Sequence, residues 1–129
     1  MESDVLIVDD SAAIRKILQR VLRQTGVAIR SIYEAGDGQE ALQILQTTRV
    51  SLVLTDINMP KMDGIQLLAA MKGAGGWPDI PVVMITTEGG ETKVSEALRL
   101  GAAGYVRKPF TADQIKEKLA GILPVAVAL

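Results

Sequence analysis

Five short aliphatic runs alternate with five longer amphipathic segments along the 129 residues, and this alternation constrains the fold more than any other feature. Short branched runs bounded by turn residues predict strands, and apolar residues recurring every three or four positions predict helices. The predicted strands are 5–8, 31–35, 52–55, 82–86 and 104–106, and the predicted helices are 11–25, 37–47, 65–71, 91–100 and 111–123. Such alternation predicts an α/β fold, in which a doubly wound parallel sheet is covered by helices on both faces. The length favours one domain, 1–129, with an apolar tail at 123–129.

The composition excludes several kinds of chemistry. There is no cysteine and no histidine, so disulfides, thiolate metal sites and histidine bases are excluded, and any bound metal must take oxygen ligands. A net charge of -1 gives no indication of nucleic-acid binding. The first ten residues contain acids and only a short apolar run, which is unlike a signal peptide, and no apolar stretch is long enough to span a bilayer. We therefore expect a cytoplasmic, monomeric protein without membrane or nucleic-acid partners.

Polar side chains follow four of the five predicted strands, where each strand ends. They are Asp9, Asp10, Asp56, Thr86, Thr87 and Lys108. In open parallel sheets, ligands bind at the carboxyl ends of the strands, near the point where the strand order reverses. Each residue alone is well explained as a turn or helix-capping residue. Their occurrence together at one edge of one sheet favours a functional site instead.

Carboxylates that converge at such an edge require a positive charge nearby. Two carboxylates about 4 Å apart repel each other by roughly 4 kcal/mol at an effective dielectric constant near 20. A divalent cation with oxygen ligands, together with the fixed charge of Lys108, would offset this repulsion. Magnesium commonly binds carboxylates and a phosphoryl oxygen at once, and a carboxylate can itself form an aspartyl phosphate. The residues therefore predict a site that can handle phosphate.

The motifs at these strand ends resemble those of the receiver domains of bacterial two-component response regulators. They are VLIVDDS, EAGDGQEAL, DINMPKMDG, PVVMITTEG and GAAGYVRKPF, in this order over roughly residues 4–123. Within that family, the DINMP run, Glu88 and the GYVRKPF run are most similar to the single-domain chemotaxis regulators. The resemblance implies a flavodoxin-like sheet with the strand order 2-1-3-4-5 and five helices. It also implies a signalling switch that catalyses its own phosphorylation and dephosphorylation, rather than an enzyme with a separate substrate.

By this resemblance, Asp56 would accept a phosphoryl group from a phosphohistidine of a sensor histidine kinase. The Mg²⁺ ligands would be Asp10 and Asp56, the main-chain carbonyl of Asn58, and Asp9 acting mainly through a bound water. Lys108 would pair with the phosphoryl oxygens, and the Lys108-Pro109 peptide bond would be cis.

The resemblance also implies how the signal leaves the site. Thr86 would form a hydrogen bond with the phosphoryl group, and Tyr105 would then turn inward. Thr87 and Glu88 would modulate the access of water to the acyl phosphate. The output protein, the flagellar switch or another partner, would bind the face formed by the fourth helix, the fifth strand and the fifth helix. Residues assigned to that face are Val94, Tyr105 and Lys118.

Three other functions compete with this interpretation. A haloacid-dehalogenase phosphatase also uses an aspartyl phosphate, but it has a D-x-D-x-T motif where this chain has DINMP. A flavodoxin-like FMN carrier needs aromatic residues around the flavin, and only 3% of this chain is aromatic. A phosphorelay intermediate, which passes its phosphoryl group to a histidine phosphotransfer protein, would keep the same site, so this alternative stays open.

Overall fold

A computed structural model of the protein describes residues 3–87 and 91–123. The strands are β1 (Ser3–Val8), β2 (Ile29–Ala35), β3 (Leu52–Asp56), β4 (Val82–Thr86) and β5 (Gly104–Arg107). The helices are α1 (Ala12–Gln24), α2 (Gly38–Thr47), α3 (Gly64–Lys72), α4 (Glu91–Leu100) and α5 (Ala112–Leu119). All neighbouring strands pair in parallel, in the order β2-β1-β3-β4-β5. The predicted α/β class and the strand order 2-1-3-4-5 are thus confirmed.

The sheet buries one set of strand side chains on each face, because successive residues of a strand point to opposite sides. One set packs against α2, α3 and α4 and consists of Leu6, Val8, Ala35, Val53, Val82 and Met84. The other set packs against α1 and α5 and consists of Val5, Ile7, Leu52, Leu54, Val83, Ile85 and Val106. Burial on both faces explains why the three central strands are nearly continuous apolar runs rather than alternating patterns.

Short polar residues begin the helices at the sheet edge where the strands end. The Ser11 side chain accepts a hydrogen bond from the backbone N–H of Ile14 and so caps α1. Thr111 and Gln114 form a reciprocal capping box at the start of α5. Gly26, just after α1, has a φ of 80°, which glycine adopts without strain.

Some predicted boundaries were wrong. Helix α5 ends at Leu119 instead of residue 123, and residues 120–123 form turns. Gly121 has a low helix propensity, and the backbone N–H groups of Ile122 and Leu123 both donate to the carbonyl of Leu119. Strand β2 begins earlier than predicted because Ile29 pairs with Ser3.

The apolar tail from residue 124 onward lies outside the described residues. Among the described helices, none combines the length and the apolar character that crossing a membrane requires.

Candidate functional site

Three carboxylates meet at the carboxyl edge of the two central strands. Val8 pairs with Thr55 in the parallel register of β1 and β3, so the residues that follow each of them become neighbours. Carboxylate oxygens of Asp9, Asp10 and Asp56 accordingly all lie within 4.8 Å of one another. Asp56 is the last residue of β3 rather than the first residue after it, so the strand itself holds its backbone.

A lysine from the end of β5 reaches over β4 to these carboxylates. Lys108 Nζ lies 3.2 Å from Asp9 Oδ2 and 3.4 Å from Asp56 Oδ2. The backbone N–H of Lys108 donates to the carbonyl oxygen of Thr86 at 2.6 Å, which fixes the chain where it leaves the strand. The Lys108-Pro109 bond is cis, as the resemblance implied. The structure therefore brings together the acidic and basic residues that the sequence placed at separate strand ends.

Asp9 is held on all sides and is only 1% exposed. Its backbone N–H donates to the carbonyl oxygen of Ala35 at 3.1 Å. Its side-chain Oδ1 accepts from the backbone N–H of Ser11 at 2.9 Å, and its main-chain oxygen accepts from Arg15 Nη1 at 2.6 Å. A contact between Arg15 and Asp9 was not predicted from the sequence. The position of Arg15, in the first turn of the helix that follows two acidic residues, could have indicated it.

The electrostatic environment of Asp56 favours its protonated form. Burial is the largest influence and raises the pKa of Asp56 above its ordinary value of 3.8. Lys108 acts in the opposite direction, the charge of Asp9 raises the pKa further, and the backbone N–H of Ile57 lowers it by donating to Oδ1 at 2.7 Å. The pKa is raised on balance, because the loss of solvation on burial outweighs the attraction of the single lysine.

The loop after β3 packs tightly against the backbone of Asp56. Asp63 caps α3, which begins at Gly64, and the Asp63 side chain forms a capping box with Gln66. The backbone N–H of Gly64 donates to the carbonyl oxygen of Ile57 at 2.8 Å. A Cβ atom at Gly64 would lie 2.3 Å from the main-chain oxygen of Asp56. Glycine is therefore required here, a constraint that the sequence alone did not reveal.

A small cavity lies beside the acidic cluster, between β4, α4 and β5. It has a volume of about 180 Å³, and Thr86, Val94 and Tyr105 are among its lining residues. Thr86 is 4% exposed, and its hydroxyl donates to the carbonyl oxygen of Thr87 at 3.2 Å. Val94, which the resemblance assigned to the partner face, is only 8% exposed, because α4 turns this side chain toward the core.

The remaining predicted residues lie around this centre. Asn58 is exposed in the loop after β3, and Thr87 is exposed just after β4. Lys118 on α5 is exposed, and its Nζ lies 5.6 Å from the ring centroid of the half-buried Tyr105, within the range of a cation–π contact. Glu88 lies outside the described residues.

The acidic cluster suits a hard divalent cation. Its three side chains offer only oxygen donors; Asp9 is buried, Asp56 is half-buried and Asp10 is exposed. Mg²⁺ favours such donors when solvent can supply its remaining ligands. Asp9 and Asp56 share Lys108 as a basic partner, so a cation would offset the remaining negative charge of the cluster. On these observations the residues fit a magnesium ion.

Replacing Asp56 with asparagine is expected to raise the free energy of unfolding by roughly 1 kcal/mol at neutral pH in metal-free buffer. The folded pKa of Asp56 is raised above 3.8, so its contribution to stability falls as pH rises from 3.8 through the folded pKa and stays low above it. Asparagine does not ionise and avoids this loss. The advantage of the variant should therefore disappear below pH 3.8.

Urea unfolding of the parent and of Asp56→Asn at several pH values, with a chelator present, measures this difference. Asp79→Asn is the matched control, because Asp79 is exposed in the loop after α3 and far from the cluster in the chain. A variant that is less stable than the parent at neutral pH would contradict the prediction.

Comparison with known proteins gives a consistent result. The family model described as the response regulator receiver domain matches residues 5–120. A chemotaxis protein CheY homolog of Campylobacter jejuni is 38% identical over 120 residues, which cover 92% of this chain and 91% of that protein. Chemotaxis protein CheY1 of Helicobacter pylori is 40% identical over 120 residues, covering 92% and 95% respectively. The structure of the chemotaxis response regulator CheY4 of Vibrio cholerae superposes with a TM-score of 0.82 at 32% identity, covering 95% of this chain and all of that one. This chain therefore belongs to the response regulator receiver domain family, and within that family it is CheY-like.

Proposed function

We propose that the protein is a cytoplasmic switch of a two-component system that accepts a phosphoryl group on Asp56 in a Mg²⁺-dependent reaction. The observation that carries this proposal is the cluster of three carboxylates within 4.8 Å of one another, with Lys108 Nζ within 3.4 Å of two of them. The similarity to chemotaxis regulators over 92% of the chain supports a role in motility signalling.

In the proposed reaction, a carboxylate oxygen of Asp56 attacks the phosphorus of a phosphohistidine on the sensor kinase. An O–P bond forms, the N–P bond breaks, and the histidine leaves with the electron pair and takes up a proton. Such in-line transfer depends mainly on positioning and charge neutralisation. Strand β3 supplies the positioning, because it holds the backbone of Asp56 up to its last residue. Lys108 supplies a fixed positive charge for the oxygens of the transferred group.

The carboxylates of Asp9, Asp10 and Asp56, with the main-chain carbonyl of Asn58, would hold the magnesium ion. When bound, Mg²⁺ would neutralise charge on the carboxylates and on the incoming phosphoryl oxygens. The fixed contacts of Asp9 with Ser11 and Lys108 keep its carboxylate aimed at the cluster before any ion arrives. Such preorganisation lowers the cost of assembling the site.

The output is a shift between two conformations rather than a new chemical step. Thr86 would exchange its hydrogen bond with the Thr87 carbonyl for one with the phosphoryl group. The cavity of about 180 Å³ next to Thr86 provides space into which Tyr105 would turn. That movement would break the contact between the Tyr105 ring and Lys118 and change the surface formed by α4, β5 and α5. An output protein would bind this surface, with Tyr105 and Lys118 among its contacts.

Intact-protein mass after incubation with acetyl phosphate tests the proposal. We expect the parent to gain one phosphoryl group with Mg²⁺ and none with a chelator, and Asp56→Asn to gain none under either condition. Asp79→Asn serves as the control and should behave like the parent. Equal gain in the parent and in Asp56→Asn would assign the phosphoryl group to another residue and overturn the proposal. No gain in the folded parent would show that the cluster does not support phosphoryl transfer.

A further inference from the structure

We propose that Arg15 is a positioning residue that fixes the two acidic residues at the end of β1 for magnesium binding, with Glu34 as its anchor. The inference rests on the proposed function, because it concerns the affinity of the same acidic cluster for Mg²⁺. Neither Arg15 nor Glu34 belongs to the cluster itself.

Arg15 bridges the end of β1 and the neighbouring strand β2. Its Nη1 donates to the main-chain oxygen of Asp9 at 2.6 Å, and its Nε donates to Glu34 Oε1 at 2.9 Å. The Arg15 side chain is only 19% exposed, and Asp9 and Glu34 accept hydrogen bonds from different nitrogens of its guanidinium group. The second oxygen of Glu34 lies 3.8 Å from Lys16 Nζ. A planar guanidinium held in this way has little freedom, so the Asp9 carbonyl has a fixed direction.

The direction of that carbonyl controls the placement of Asp10. The peptide group between Asp9 and Asp10 is planar, so the Asp9 carbonyl and the Asp10 N–H rotate as one unit. Asp9 has further restraints, because its N–H bonds to Ala35 and its carboxylate bonds to Ser11 and Lys108. Asp10 is exposed, so fewer protein contacts surround its side chain. The bond from Arg15 thus fixes the peptide group before Asp10, just as the bond from the Ser11 N–H to Asp9 Oδ1 fixes the one after it, and together they direct the Asp10 carboxylate toward the other two.

The direction in which Mg²⁺ affinity changes when Arg15 is removed distinguishes a positioning role from a purely electrostatic one. A guanidinium near three carboxylates repels an incoming cation, so by charge alone the removal of Arg15 would strengthen Mg²⁺ binding. If Arg15 acts by positioning, its removal lets the peptide group between Asp9 and Asp10 rotate. The carboxylates would then be less well placed for the ion, and Mg²⁺ binding would weaken. Residues that orient metal ligands typically change metal affinity by about 10- to 100-fold when they are replaced.

Calorimetric titration of Arg15→Met with Mg²⁺ measures which of the two effects dominates. We expect a dissociation constant roughly tenfold higher than that of the parent. Phosphorylation by acetyl phosphate should be slower at low Mg²⁺ but reach the parent rate once Mg²⁺ saturates, because Asp56 and Lys108 keep their own contacts. Arg20→Met is the matched control: Arg20 is exposed on the same helix, and the charge change is identical. The control should bind Mg²⁺ as the parent does.

Unchanged or tighter Mg²⁺ binding by folded Arg15→Met would overturn the inference and leave the proposed function intact. No Mg²⁺ binding by the parent would overturn both.

Thermal unfolding without metal identifies a variant that does not fold, and in that case Arg15→Lys answers the same question. Lysine keeps the charge but cannot bond to Asp9 and Glu34 as a fork, so weaker binding supports positioning and unchanged binding opposes it. If Glu34 acts by anchoring Arg15, Glu34→Gln should weaken Mg²⁺ binding less in the Arg15→Met variant than in the parent. An equal loss of Mg²⁺ affinity in both would contradict its role as the anchor.

Discussion

Gly64→Ala is expected to lower the free energy of unfolding by about 3 kcal/mol, although Gly64 is the first residue of a helix. Helix propensity alone favours alanine over glycine by roughly 1 kcal/mol. The added Cβ, however, would lie 2.3 Å from the main-chain oxygen of Asp56 and 3.0 Å from Cα of Ile57. Both neighbours are backbone atoms, so no side-chain rotation can relieve the overlap. The steric cost should therefore exceed the gain in propensity and reverse its sign.

The same substitution should slow phosphorylation of Asp56, because the loop can accommodate the Cβ only if β3 or α3 moves. A displacement of about 1 Å in a reacting group can reduce a rate by roughly 100-fold. Urea unfolding measures the stability, and intact mass against time with acetyl phosphate and Mg²⁺ measures the rate.

Gly121→Ala is the control for Gly64→Ala, since a Cβ at Gly121 would meet no atom within 4 Å. We expect its stability to stay within about 0.5 kcal/mol of the parent and its phosphorylation rate to be unchanged. If Gly64→Ala were as stable as the parent, the close approach of α3 to the end of β3 would not exist in solution.

Much of the site was predictable from sequence because parallel sheets impose a simple geometry. Once the runs before Asp9, Asp56 and Lys108 are identified as strands, their ends must meet at one edge. The strand pattern was strong because the central strands are buried on both faces and hence apolar throughout. The convergence of these three side chains therefore follows from the chain order of strands and helices, and the structure shows the resulting distances of 3.2 and 3.4 Å to the lysine.

What the sequence did not reveal depends on contacts between segments that are distant in the chain. The requirement for glycine at position 64 was not visible, because only the folded loop brings the Gly64 Cα against the backbone of Asp56. Arg15 looked like one of several basic residues on α1, since its bond to Asp9 depends on how the helix docks on β1. Val94 packs in the core, a placement that the sequence did not specify, because an amphipathic pattern does not fix the rotation of a helix to within one residue. These features arise from tertiary packing, and hydrophobic periodicity predicts the secondary structure but not the individual contacts.

Lys108→Met is expected to destabilise the metal-free protein by roughly 2 to 4 kcal/mol at neutral pH, because it leaves the partly buried carboxylates of Asp9 and Asp56 without their cation. Burial already raises the pKa of Asp56, and the loss of Lys108 removes the largest opposing influence, so the folded pKa should rise further above 3.8. The loss of unfolding free energy should reach its full size at pH values above the folded pKa of Asp56. It should shrink as pH falls through the folded pKa of Asp56 toward 3.8, because the Asp56 carboxylate then becomes neutral.

The metal dependence of Lys108→Met distinguishes a structural cation from one that acts on the phosphoryl group. Mg²⁺ should restore most of the lost stability, because a second cation can neutralise the same carboxylates. It should not restore phosphorylation, which we expect to be about 100- to 1,000-fold slower, because no fixed charge would then face the transferred oxygens. Lys116→Met, at an exposed position on α5, should match the parent in both measurements. If the Lys108 variant regained the parent rate at saturating Mg²⁺, Lys108 would only balance the charge of the acidic cluster, and stabilisation of the phosphoryl group would have to come from other residues.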